Sequence, residues 1–125
     1  MGAVEPTRPS VTTALGAFLD RVPKYRAPPS STPDRVSTGA ALFLSSGCDE
    51  CHTDPVPTES QDVGTGGSFQ VPRLAGVRYR VPLMHDGCAA TIRERFDPGC
   101  GGTDHRDAHL TESDVDALVA FLATL

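Results

Sequence analysis

Apolar positions recur at helical spacing in separate stretches of the chain and lose their period between them. In residues 10–22 (SVTTALGAFLDRV), Val11, Ala14, Leu15, Phe18, Leu19 and Val22 form one stripe that Pro23 stops, predicting a short amphipathic helix. Residues 25–34 hold Pro28, Pro29 and Pro33, too many for a helix interior or an inner strand, and predict an extended tether. A second stripe, Val36, Ala40, Phe43 and Leu44, runs until Gly47 interrupts it. Residues 53–70, rich in Pro, Gly, Thr and Asp, are expected to be irregular loop. Residues 71–81 alternate weakly, with Pro72 and Pro82 limiting any strand. A short helix is predicted over 89–96, stopped before Pro98 and Gly99. The last element has the clearest pattern. Thr111 stands as N-cap with Asp114 three residues on, and Val115, Leu118, Val119, Leu122 and Leu125 follow as one apolar face.

These helices, at about 10–22, 36–46, 89–96 and 111–124, predict an all-α fold. The organisation is an N-terminal helix and Pro-rich tether over 1–33, followed by one domain over 34–125. Residues 1–9 are polar and are expected to fray; no internal repeat or low-complexity segment interrupts the chain.

Composition narrows the function classes. The chain has 125 residues, one domain's worth, and carries 11 Lys and Arg against 16 Asp and Glu, a net charge of −5. That sign disfavours nucleic acid as a partner, because backbone affinity comes from clustered cations. No apolar run of 18 residues is present, so no membrane-spanning helix is expected. The first ten residues show no apolar core after a basic start, so they do not read as a secretory signal. Five Phe, two Tyr and no Trp beside 12 Gly and 11 Pro leave the core thin. Such a chain gains from a bulky group to pack around, and its four cysteines point either to such a group held covalently or to bridges that staple the fold.

The chemistry concentrates at Cys48-Asp49-Glu50-Cys51-His52, where the C-x-x-C-H spacing is the attachment signature of c-type haem. Two thiols add across the porphyrin vinyl groups as thioethers, and the adjacent imidazole reaches the iron as proximal ligand. A thioredoxin-like C-x-x-C asks for a preceding strand, whereas an amphipathic helix precedes this one. A structural zinc site asks for a second paired ligand set, for which Cys88 and Cys100 are too far apart, although His105 and His109 do give H-x3-H. Haem attachment takes place outside the cytoplasm, so the expected location is periplasmic or otherwise exported. In that oxidising setting Cys88 and Cys100 are expected to form a disulfide, the alternative being two buried thiols. The sixth iron ligand is open among Met84, His85, His105 and His109 or an empty position, a choice that separates electron transfer from peroxide chemistry.

Beyond this motif, the series Gly39-Ala40-Ala41-Leu42-Phe43, Gly47 to His52, Asp62-Val63-Gly64-Thr65, Val71-Pro72-Arg73-Leu74-Ala75-Gly76-Val77, His85-Asp86-Gly87 with Ala90-Thr91-Ile92, and Leu110-Thr111 leading into Leu118-Val119-Ala120-Phe121-Leu122 resembles the C-terminal haem domain of bacterial di-haem cytochrome c peroxidases and MauG-type enzymes. The match in order and spacing covers roughly residues 34–125. The resemblance implies a cytochrome c-like helical fold around one covalent haem c, which in that family donates electrons to a second, peroxidatic haem. This chain has a single C-x-x-C-H, so the resemblance implies electron transfer to a redox protein or another haem domain. The alternative is a five-coordinate, peroxidase-like domain of a larger protein, with His85 or His105 as distal acid–base group. The family's sixth ligand lies on the loop matched here by residues 96–109, which holds no methionine; His105 is the best-placed substitute and Met84 the alternative. Where the family carries an arginine this chain has Ala75, leaving Arg73, Arg78 and Arg80 to pair with the propionates, and His85 to join them at the cofactor.

Overall fold

The computed structural model describes residues 10–21, 31–54, 59–100, 105 and 109–125. The expected frayed segment 1–9 and residues 25–30 of the expected tether lie outside the described residues, whereas the tether's last two residues, Pro33 and Asp34, are helical because proline is tolerated in a first helical turn.

The described residues form three α-helices: α1 (Val11–Arg21), α2 (Pro33–Ser45) and α3 (Glu112–Leu122). The Ser10 hydroxyl caps α1 by accepting from the Thr13 amide at 3.1 Å, and every residue of this helix is solvent-exposed. Helix α2 begins three residues before the apolar stripe, with Pro33 in its first turn. Proline is tolerated there because its missing N–H would have no partner within the helix. The Ser37 and Thr38 hydroxyls both donate to the Asp34 carbonyl, at 2.9 Å each. In α3 the expected cap is present in full: Asp114 N donates to the Thr111 hydroxyl at 3.3 Å, and Thr111 N donates to the Asp114 carboxylate at 2.9 Å.

Helices α2 and α3 pack closely at Gly39, where a Cβ would stand 2.0 Å from the Ala117 carbonyl oxygen. Glycine is therefore what permits the approach. One turn further along, the Phe43 and Phe121 rings meet at 5.5 Å between centroids, tilted by 57°. Beside this contact lies a small core of Val77, Ile92 and Leu122, flanked by Leu74, Leu83 and Phe96.

The rest of the chain wraps this pair in short pieces. Strands β1 (Ser60–Asp62) and β2 (Ser68–Gln70) form an antiparallel hairpin in the register Ser60–Gln70, Gln61–Phe69, Asp62–Ser68. Its turn is built by the Asp62 carboxylate, which accepts from Gly64 N at 3.0 Å, and by positive φ at Gly64 and Gly66. The irregular loop expected over 53–70 thus contains this hairpin. All six of its strand residues are exposed, so no buried face imposes an alternation on the sequence.

Residues 89–96 differ from the expected helix: only Glu94–Phe96 make a single 3₁₀ turn. Local side chains take the backbone donors that a helix would use. Ala90 N donates to the Glu94 carboxylate at 2.8 Å, and Glu94 N to the Thr91 hydroxyl at 3.2 Å. Ala89 is held extended by an antiparallel bridge to Leu83, with Leu83 N donating to Ala89 O at 2.7 Å. Arg93 ties the segment to α3 through ion pairs with Glu112 and Asp116. Cys88 and Cys100 form the expected disulfide, with Cα atoms 5.7 Å apart.

Candidate functional site

The C-x-x-C-H run is presented by the end of α2. Ser46 N donates to the Leu42 carbonyl, and Gly47, at φ 70°, turns the chain sharply into a 3₁₀ turn over Cys48–Glu50. His52 N then donates to Cys48 O at 3.0 Å, closing the motif into a compact bend. The Cys48 and Cys51 thiols and the His52 ring all line one cavity of about 610 Å³. That volume falls in the range of organic-ligand sites.

Helices α2 and α3, the hairpin and the central turns all contribute to this cavity. Phe43 from α2, Val77 and Ile92 from the central turns, and Leu118 and Leu122 from α3 give it apolar walls. The hairpin covers one side with Gln61, Phe69 and Gln70. Phe69 is set by stacking on His85, at 4.3 Å between centroids and 18° between planes. Three cations, Arg73, Arg80 and Arg95, also line the cavity, and among its described lining residues there is no Asp or Glu. In a chain of net charge −5, that asymmetry marks the cavity as fitted to an apolar body with anionic groups.

The His52 ring is held in one tautomer. Its Nδ1 lies 3.0 Å from the Pro72 carbonyl, which can only accept, so Nδ1 carries the proton and Nε2 keeps the lone pair. Burial pushes the imidazole below its ordinary pKa, the bond to Pro72 opposes that shift, and the Arg95 charge adds to it. The neutral form is the one that ligates a metal. Across the cavity stands His105, its ring centroid 6.2 Å from that of His52 and the planes inclined by 56°.

The other candidates separate. Arg73 pairs with Asp54, and Arg80 donates to the Arg73 carbonyl. Arg78 is not among the cavity-lining residues; its Nη1 donates to the Ala123 carbonyl at 3.5 Å and its guanidinium lies over Tyr79. Met84, at φ 70°, and His85 line both this cavity and a smaller one of about 250 Å³ beside the disulfide. His109 lies by Asp114 and is not part of the described lining.

Sequence reasoning missed Arg95, which follows Ile92 at helical spacing within a segment read only for its apolar positions. It also missed the hairpin side chains, for which the Asp62 to Gly67 turn residues were the available signal.

Among the described residues, no three His, Cys, Asp or Glu side chains gather closely enough to hold a bare metal ion. The ligating groups are instead spread round a large apolar space, a donor set that fits a macrocycle anchored at its edge and ligated on its faces.

No family model matches the chain, and no solved structure matches it. Among curated proteins, the cytochrome c551 peroxidase of Nitrosomonas europaea is similar, at 26% identity over 160 aligned positions. The alignment takes in 99% of this chain and 46% of that protein, so the chain spans less than half the length of its relative. The similarity supports a distant relation to the di-haem cytochrome c peroxidases without singling out one of their domains.

Proposed function

We propose that this chain is a cytochrome c-like domain that carries one covalently attached haem c and passes single electrons to a redox protein or another haem domain. The carrying observation is that Cys48, Cys51, His52 and His105 line one apolar cavity with the two imidazoles 6.2 Å apart. An imidazole nitrogen sits about 2 Å from a metal it ligates, with the ring centre roughly 1 Å further back. Two rings about 6 Å apart would therefore leave room for one metal between them.

In this reading Cys48 and Cys51 would anchor the haem covalently through their thiols. His52 offers Nε2 as proximal ligand, with Pro72 fixing the ring. His105, lining the same cavity, would serve as the second iron ligand and so keep water and peroxide from the metal. When bound, the haem supplies a one-electron iron couple whose potential follows its axial ligands and surroundings. Arg73 and Arg80 offer cations to the propionates at the rim, while Arg78 serves the packing of the C-terminus. Thioether attachment implies a periplasmic or otherwise exported chain. No helix among the described residues is long and apolar enough to cross a membrane.

The similar protein's designation as a peroxidase favours a second reading, in which His105 leaves the iron open and acts on peroxide together with His85. An absorption spectrum separates the two. Sharp low-spin bands indifferent to cyanide are expected, and a high-spin ferric spectrum that cyanide converts to low-spin would establish the peroxidase-like site. A purified chain whose haem is lost on denaturation, or which carries none, would overturn both.

A further inference from the structure

Helix α1 carries an apolar stripe that nothing among the described residues covers. Val11, Leu15, Phe18 and Leu19 are 85%, 53%, 63% and 59% exposed, and no residue of the helix is buried. At a helical period of about 100° per residue, Arg21 stands at the border of this stripe, while Thr13 and Asp20 fall on the opposite face. Charge is divided along the chain as well. Residues 1–30 carry four cations, Arg8, Arg21, Lys24 and Arg26, against two acids, Glu5 and Asp20, whereas residues 31–125 carry seven Lys and Arg against fourteen Asp and Glu. The exposed stripe thus lies in the basic part of an acidic protein.

We propose that α1 is an interfacial anchor, laying its apolar stripe into an anionic lipid surface with the surrounding cations on the headgroups. The inference is independent of the haem reading. An 11-residue helix is about 16 Å long, roughly half the thickness of a bilayer's hydrocarbon core, so it lies in the plane of the surface and does not span it. The basic segment complements anionic headgroups, and Arg21 at the border of the stripe can keep its guanidinium in the headgroup layer while its stem rests on the apolar side. A second copy is a poor occupant. Two such short faces would bury on the order of 500 Å² together, below the roughly 1,200 Å² of a stable interface, and would bring two basic segments against each other. The acidic remainder of the chain is repelled by the same surface, but the chain from Arg21 to Ser31 can reach up to about 30 Å, well beyond a screening length of about 8 Å at physiological salt. A surface that takes up the apolar side chains also supplies the packing that so short a helix needs.

The test is co-sedimentation of the purified full chain with phosphatidylglycerol vesicles and, separately, with phosphatidylcholine vesicles. The wild type should sediment with the anionic vesicles and much less with the neutral ones, and its binding should weaken as salt is raised. Replacing Leu15 and Phe18 together by asparagine keeps the charge and should lower the bound-to-free ratio about tenfold. No binding to phosphatidylglycerol, equal binding to both kinds of vesicle, or equal binding of wild type and double variant would overturn the proposal. A dimer in sedimentation equilibrium without vesicles, abolished in the double variant, assigns the stripe to a second copy and overturns it as well. The chain has no Trp, so Phe18→Trp provides a single reporter that decides the matter should the double variant fail to fold. Its emission should move to the blue on adding phosphatidylglycerol vesicles, and an unmoved emission overturns the proposal.

Discussion

An imidazole that donates through one nitrogen has only the other with which to bind, and at His52 the Pro72 carbonyl makes that choice. In the proposed function the next residue to test is His105. If His105 ligates, His105→Ala should convert a low-spin spectrum to high-spin and confer cyanide binding; an unchanged spectrum would move the assignment to Met84, to be sought through its weak near-infrared band. That Cys48, Cys51 and His52 meet at one cavity was legible in the sequence because they stand almost side by side in a C-x-x-C-H run. Arg95 was not, since its place in the cavity follows from the turn over Glu94–Phe96, and that turn replaces an expected helix. Arg78 shows the converse. It stands between two cavity-lining neighbours in sequence, Val77 and Arg80, yet its side chain reaches to the Ala123 carbonyl.

Helix pairing depends on a side chain that is absent. Gly39→Ala would ordinarily strengthen a helix, but here the added Cβ would meet Ala117 and Phe121. The expected outcome is a loss of about 2–3 kcal/mol, read from a lower denaturant midpoint at unchanged slope. At the start of α3, Thr111→Ala removes the cap and should cost about 1 kcal/mol in the same measurement. The cap also has a pH signature. The Thr111 hydroxyl, and secondarily its N–H, hold the Asp114 carboxyl below its ordinary pKa. A depressed folded-state pKa contributes stability that is present above the unfolded-state value, near pH 4, and is lost as pH falls through the lower one. Thr111→Ala should therefore show a shallower loss of stability in that acid range than the wild type, as followed by thermal melts at stepped pH. Element by element, α3 was legible because one face is buried and its cap is local. The hairpin was hidden because its three-residue strands bury nothing, and the 89–96 segment because Thr91 and Glu94 divert its backbone donors.

At the scale of the molecule, a sparse aromatic content coexists with a large apolar cavity, a space that the proposed haem would fill. With the proposed haem bound, its two propionates would take the charge from −5 to about −7 at neutral pH in the ferrous state. The bridge between Cys88 and Cys100 closes a loop of sequence separation 12 beside this site. Its replacement by two serines should lower stability by about 3 kcal/mol in equilibrium denaturation, through the freedom returned to the unfolded chain. Helix α1 has a different standing. Eleven residues of helix with Val11, Leu15, Phe18 and Leu19 all facing water are marginal on their own, because so short a segment scarcely repays its nucleation. Its amide hydrogens should therefore trade with deuterium from the solvent orders of magnitude sooner than those in the middle of α3.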